Sequence, residues 1–273
     1  MNTQTPVTPD LAAVKAKQQA TWSSGNYALI GSTLQIVGEE LCEAIDLKPG
    51  ASVLDVAAGN GNATIAAARR FAEVTSTDYV QSLLDASKAR ADAQGMDNIM
   101  YQIADAEALP FANESFDVVM STFGVMFTPD QQKAADELVR VCRKGGTIAM
   151  ANWTAAGFIG QVFKTLGGHI PPAPGLKSPA LWGDEEALKA MFGHQVSEIR
   201  VEKMTYMFRY RSFAHFVDVF RTFYGPLHKA FIALGENAPA LEADLAACAA
   251  RFNRSANGGF LVPSEYARVI ITK

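Results

Sequence analysis

The stretch Val53–Thr64, VLDVAAGNGNAT, decides how the rest of this chain is read. Apolar residues run into small ones, and Gly59 and Gly61 stand two apart. This is the pattern of a buried strand turning into a helix through a glycine loop, which leaves backbone N–H groups free for a ligand. Two residues resist the dinucleotide version of that loop. Asp55 stands in the strand that leads into it, and Thr64 occupies the place of a third glycine. A carboxylate lining the approach to a pyrophosphate repels it, whereas a ligand bearing an ammonium group is attracted.

Upstream, LQIVGEELCEAIDL reads as a helix ending at the turn Lys48–Gly50, and the helical pattern that begins at Leu11 breaks at WSSGNYALIG, Trp22–Gly31. Residues 1–10, polar with two prolines, are expected to be disordered. Downstream, strands and helices alternate. EVTSTDY, IMYQIAD, FDVVMSTFG and TIAMANW follow SVLDVA as strands, separated by the helices NATIAAARRF, SLLDASKARADAQG and DQQKAADELVRVCRKGG. Gly95 closes the second of these helices, and Arg140, Arg143 and Lys144 are placed near the negative end of the third. Five such strands imply an α/β, doubly wound, mostly parallel sheet. Beyond Trp153 the regularity ends. Pro171–Gly175 is a loop, DEEALKAMFG a short helix, and VSEIRVEKMTYMFRY a long strand. SFAHFVDVFRTFY and ALEADLAACAARFN are helical, and SEYARVIITK is again a strand. The last two strands are expected to pair antiparallel at one sheet edge, with about 50 residues of helix inserted between them.

Composition narrows the function. A chain of 273 residues, 49% hydrophobic and 19% charged, is an ordinary globular protein, and a net charge of −4 argues against a nucleic-acid partner. No apolar run approaches a membrane span, and the N-terminus lacks the basic and apolar regions of a secretory signal. Cys42, Cys142 and Cys248, odd in number and far apart, fit neither a disulfide framework nor a zinc site, and read as small buried hydrophobes. A cytoplasmic protein without a metal is expected.

Three acids mark the carboxyl ends of three consecutive strands: Asp55, Asp78 and Asp105. Asp78 lies 17 residues after Gly61, about the separation of an acid that accepts ribose hydroxyls. Asp105 can accept from an adenine amine while the N–H of Ala106 donates to a ring nitrogen. A cationic, adenosine-bearing ligand without phosphate fits all three, and S-adenosylmethionine is such a ligand.

In this order VLDVAAGNGNAT, TSTDY, DAEALPF, FDVVMSTFGVMF and RVCRKGGTIAMANWT resemble the class I S-adenosylmethionine-dependent methyltransferases, most of all their small-molecule branch with the quinone-biosynthesis C-methyltransferases. The likeness covers residues 20–154 and implies a seven-stranded sheet with an antiparallel last strand. It implies Gly59 and Gly61 around the methionine part, Asp78 at the ribose with Tyr79 beside it, and Asp105 with Ala106 at adenine. Ser121 would meet the methionine amine through its backbone carbonyl. Ala57 departs from the usual glycine. Tyr27, in a segment similar to the N-terminal covers of related enzymes, would lie over the sulfonium, with Trp22 below it.

The chain then divides into a helical lid (1–32), a cofactor core (33–154) and a region completing the sheet and the acceptor pocket (155–273). Phe123, Met126, Trp153, Phe220 and Tyr224 are the expected pocket lining, and His169 and His228 are the histidines to examine. Neither the acid of metal-dependent catechol enzymes nor the motif of nucleic-acid amino methylases follows the fourth strand, which carries Ser121, Thr122 and Phe123. The expected reaction is methyl transfer to an oxygen or carbon of a small, partly apolar molecule. A nicotinamide-dependent oxidoreductase and a non-catalytic module binding the same cofactor stand as alternatives. The sequence does not fix the oligomeric state or the catalytic base.

Overall fold

The computed structural model describes residues 9–273; the expectation for residues 1–8 lies outside them. The elements in chain order are α1 (Leu11–Trp22), α2 (Tyr27–Gly31), α3 (Gln35–Ala44), β1 (Ser52–Val56), α4 (Asn62–Ala68), β2 (Glu73–Asp78), α5 (Gln81–Asp92), β3 (Ile99–Ile103), β4 (Phe116–Thr122), α6 (Gln131–Val141) and β5 (Cys142–Trp153). The second half adds α7 (Phe158–His169), α8 (Glu185–Phe192), β6 (Glu198–Tyr210), α9 (Phe213–Phe223), α10 (Gly225–Leu234), α11 (Ala238–Ala250) and β7 (Phe260–Thr272).

The seven strands form one sheet in the order β3-β2-β1-β4-β5-β7-β6. β1 pairs in parallel with both β2 and β4, so the winding reverses between β1 and β4. Ligands of open α/β sheets bind outside the carboxyl ends of the strands at such a reversal. β7 runs antiparallel between β5 and β6, and residues 211–259 form the helical insertion between β6 and β7. The expected architecture is therefore present, including the long antiparallel pair at one edge.

Local chemistry explains several boundaries. After α5, Gly95 has φ +68°, its N–H bonds to the Asp92 carbonyl and that of Met96 to Ala91, the paired bonds of a Schellman stop. α3 crosses α4 at Gly38, where a Cβ would come within 2.7 Å of the Asn62 carbonyl oxygen. The three cysteines are buried and free.

The structure departs from the sequence reading at four elements. Tyr27–Gly31, read as part of the break in the helical pattern, is the short helix α2. Arg143 and Lys144 belong to β5, not to the end of α6. The chain turns extended at Cys142, and Arg143 instead pairs with Asp117 at 2.7 Å. α7 and α10 were not anticipated. Each carries glycine or proline, which weakens its helical signal, and each is stabilised by burying one face, Phe158, Ile159 and Val162 in α7 and Leu227, Ala230 and Phe231 in α10. No helix among the described residues is long and apolar enough to cross a membrane.

Candidate active site

The turn between β1 and α4 is bent through left-handed conformations at Ala57 (φ +52°), Gly59 (+56°) and Gly61 (+82°). Ala57 is the costly one, since a Cβ disfavours that region by about 1–2 kcal/mol. Phe123, just past β4, shares the strain with φ +55°. The two turns are pressed together: a Cβ on Gly124 would lie 2.2 Å from the Ala57 carbonyl oxygen. Strain of this kind persists where surrounding contacts impose it, often at ligand sites.

Asp78 ends β2 beneath this loop. One carboxylate oxygen accepts from the Gly59 N–H and the other from the Val80 N–H, both at 2.9 Å. The carboxyl is only 4% exposed, and burial pushes its pKa up to about 6 against the pull of those N–H donors. Asp105 follows β3. Its Oδ1 accepts from the Glu107 N–H at 2.9 Å, and its Oδ2 takes the Lys15 ammonium at 2.6 Å. Lys15 also reaches Glu107 at 2.5 Å, and Glu107 accepts from the Asp130 N–H. Burial acts to lower the Lys15 pKa, but the bonds from Asp105 and Glu107 outweigh it and the net shift is upward.

These groups surround an open cavity of about 840 Å³, solvent at its mouth included. Of the residues expected at a cofactor, Tyr27, Ala57, Gly59, Asp78, Tyr79, Asp105 and Ala106 line it. Of the expected pocket residues, Phe123 lines it. α1 closes one side, with Gln18 and Trp22 at the wall and Gln19 bonded to the Tyr79 carbonyl at 2.6 Å.

The other expected residues do not line the cavity. The Asp55 side chain lies under the loop, fully buried, with Oδ2 accepting from the Thr64 hydroxyl at 2.6 Å and Oδ1 unpartnered. Desolvation raises its pKa to about 7. The two residues that resisted the dinucleotide reading thus bond to each other and tie β1 to α4. Gly61 is required by packing, because a Cβ there would sit 1.9 Å from the Ser87 hydroxyl. The Ser121 hydroxyl donates to the Val56 carbonyl and accepts from the Val125 N–H, stitching β1 to the turn after β4. Met126 and Phe220 are core residues. Trp153 and Tyr224 stand one layer back, Trp153 stacked on Phe123 at 4.0 Å and Tyr224 against Trp22 at 5.6 Å. His169 pairs with Asp244 at 2.8 Å across α7 and α11, and His228 bonds the Arg221 carbonyl behind α9.

Sequence reasoning missed Glu107, Asn60, Thr122, Phe127 and Thr128, which also line the cavity. Glu107 had a signal in its place two residues after Asp105. Lys15, 90 residues from its partner, had none.

The strand order and the acid-lined cavity at the reversal define a Rossmann-like fold with its site at the carboxyl ends of the strands. The donor set suits S-adenosylmethionine: carboxylates for a cationic adenosine ligand, and a Gly59 whose missing Cβ would meet only Tyr27, at 3.8 Å. The methyltransferase-domain family matches residues 54–150. The Mycobacterium tuberculosis protein Rv1405c is 41% identical over 241 residues, 87% of this chain and 87% of its own length. The demethylmenaquinone methyltransferase of Corynebacterium efficiens is 35% identical over 124 residues, 45% of this chain and 50% of its own. Among solved structures, YcgJ of Bacillus subtilis shares the fold, with TM-score 0.60 at 16% identity over 89% of this chain and 98% of its own. The chain belongs to the class I S-adenosylmethionine-dependent methyltransferases, and S-adenosylmethionine is its cofactor.

Proposed function

We propose that the chain transfers the methyl group of S-adenosylmethionine to an oxygen or carbon of a small, partly apolar molecule inside this cavity. The carrying observation is the composition of its walls. Asp78, Asp105 and Glu107 supply the acids, while Trp22, Tyr27, Phe123 and Phe127 supply aromatic surface, and among the described residues no histidine lines the cavity. On this reading Asp78 accepts from the ribose hydroxyls with Tyr79 beside it, and Asp105 and the Ala106 N–H read adenine. Ala57 and Gly59 flank the methionine part. The Tyr27 ring covers the sulfonium, an aromatic face against a cation. Residues 33–154 carry the cofactor, and residues 1–32 and 155–273 shape the acceptor side.

The sulfonium supplies an already activated methyl group. The chain's work is to hold the accepting atom in line with the methyl–sulfur bond, about 3–3.5 Å away, and to exclude water. An aliphatic amine reaches such a wall as an ammonium, with a pKa of roughly 10, and needs a base to free its lone pair. A phenol has a similar pKa, but its neutral oxygen already presents a lone pair to the methyl group and can lose its proton as the bond forms.

The test uses cofactor with a carbon-13 methyl group and a panel of phenols, enolisable ketones and primary amines, with the product read by NMR. Oxygen- or carbon-bound methyl signals are expected. Products methylated on nitrogen alone would contradict the proposal.

A further inference from the structure

α1 closes one side of the cavity and meets three different loops with one face. Leu11, Val14, Lys15, Gln18, Thr21 and Trp22, spaced at helical intervals, are its half-buried residues, and the rest of the helix is exposed. Lys15 reaches the acids that follow β3, Asp105 at 2.6 Å and Glu107 at 2.5 Å. Gln19, one position round the helix, bonds the Tyr79 carbonyl that follows β2. Trp22 packs edge-on against Phe127 in the turn after β4, with ring centres 5.0 Å apart. The helix thus bridges the carboxyl ends of three strands.

Its two ends are held differently. At the C-terminal end backbone meets backbone. A Cβ on Gly25 (φ +75°) would lie 2.9 Å from the Phe223 carbonyl oxygen, and one on Gly225 would lie 2.3 Å from that of Thr21. These contacts pin the turn between α1 and α2 onto the end of α9 and the start of α10. Towards the N-terminal end the attachment is polar. Among the described residues, Lys15 and Gln19 supply the only hydrogen bonds and ion pairs from α1 to the rest of the chain. No other cation pairs with Asp105 or Glu107 among those residues. Lys15 stands roughly 9 Å along the helix from Thr21, so a small rotation at the pinned turn carries its ammonium out of reach of both acids.

We propose that Lys15 is an ionic latch on cofactor exchange. Its bonds to Asp105 and Glu107 hold α1 shut over that end of the cavity; when they break, the helix turns about residues 21–25 and bound cofactor leaves through the opening. Lys15 acts through the two carboxylates and is a positioning residue, not a catalytic one. The inference goes beyond the methyl-transfer reading, because it concerns the passage of cofactor and no property of the acceptor. It rests only on the cofactor occupying this cavity.

The full chain is loaded with radiolabelled S-adenosylhomocysteine, which carries no net charge, and release is timed after an excess of unlabelled ligand is added. Wild type, Lys15→Met and Lys15→Arg are compared at about 50 and about 500 mM salt, which span weak and strong screening of an ion pair. Lys15→Met should release the ligand about 3- to 10-fold faster than wild type, as expected when a charge-assisted bond is lost. Lys15→Arg should keep release near the wild-type rate. Added salt should speed release from wild type and leave Lys15→Met nearly unchanged. Amide exchange of the loaded proteins reads the pivot: in Lys15→Met, residues 11–20 should exchange faster and residues 27–34 at the wild-type rate. The latch is overturned if Lys15→Met releases ligand no faster than wild type, or more slowly, as it would if Lys15 only competed with the ligand for Asp105. It is equally overturned if salt speeds both proteins alike, or if amides on both sides of the pinned turn speed up together. A wild-type chain that binds no S-adenosylhomocysteine would instead defeat the placement of the cofactor, a failure distinct from these.

Discussion

Asp55 is fully buried, with one oxygen on the Thr64 hydroxyl and the other on nothing. Such a carboxyl is easier to bury protonated than ionised, and desolvation accordingly lifts its pKa from 3.8 to about 7. Between those two values the folded chain holds a proton that the unfolded chain has released. Stability therefore falls as pH rises through the window from about 4 to about 7. Asp55→Asn cannot ionise, so its stability relative to wild type should climb from pH 4 to pH 8, by an amount on the order of a few kcal/mol. Urea midpoints at the two pH values read this directly, and a parallel pH response of the two proteins would refute it. The sequence marked Asp55 as unusual but assigned it to the ligand. Side-chain direction at the end of a strand decides between ligand and loop, and a single sequence does not carry it.

At the scale of elements, α1 has no buried residue. Its attachment rests on Lys15 to Asp105 and Glu107, Gln19 to Tyr79, and the Trp22 ring against Tyr27, Phe127 and Tyr224. A segment held by a few polar links and one aromatic anchor belongs to the low-stability end of a fold, where lids are drawn from. Deleting residues 1–24 should weaken cofactor binding about tenfold, or ~1.4 kcal/mol, while the core still unfolds cooperatively. A truncated chain with full affinity would remove α1 from the site. The break after Trp22 was legible because serine and glycine interrupt a helical run, but the chain turns helical again over Tyr27–Gly31, which reads in the sequence as part of the break. The Lys15 contacts were not, because an ion pair spanning 90 residues leaves no local pattern. α7 and α10 escaped for the opposite reason: their local signals are weak, and tertiary burial decides them.

For the whole molecule, strand–helix alternation with a glycine loop after the first strand was enough to expect a doubly wound sheet with its acids at the strands' carboxyl ends; the strand order, with its reversal between β1 and β4, comes from the structure. Position along the chain located Asp78 and Asp105 because both fall at strand ends, where topology alone directs them to one crevice. The outer lining was less legible. Phe123 was found, but Trp153, Tyr224 and the histidines stand behind or away from the wall, since aromatic runs at helical spacing look alike in core and pocket. The central claim is that this site is built for S-adenosylmethionine. Its most direct test is calorimetric titration of wild type and Asp78→Ala with S-adenosylmethionine and NAD. Micromolar binding of S-adenosylmethionine and none of NAD is expected, with a loss of about 10- to 100-fold, roughly 1.5–3 kcal/mol, in the variant. Binding of NAD alone, or an affinity for S-adenosylmethionine indifferent to Asp78, would contradict it.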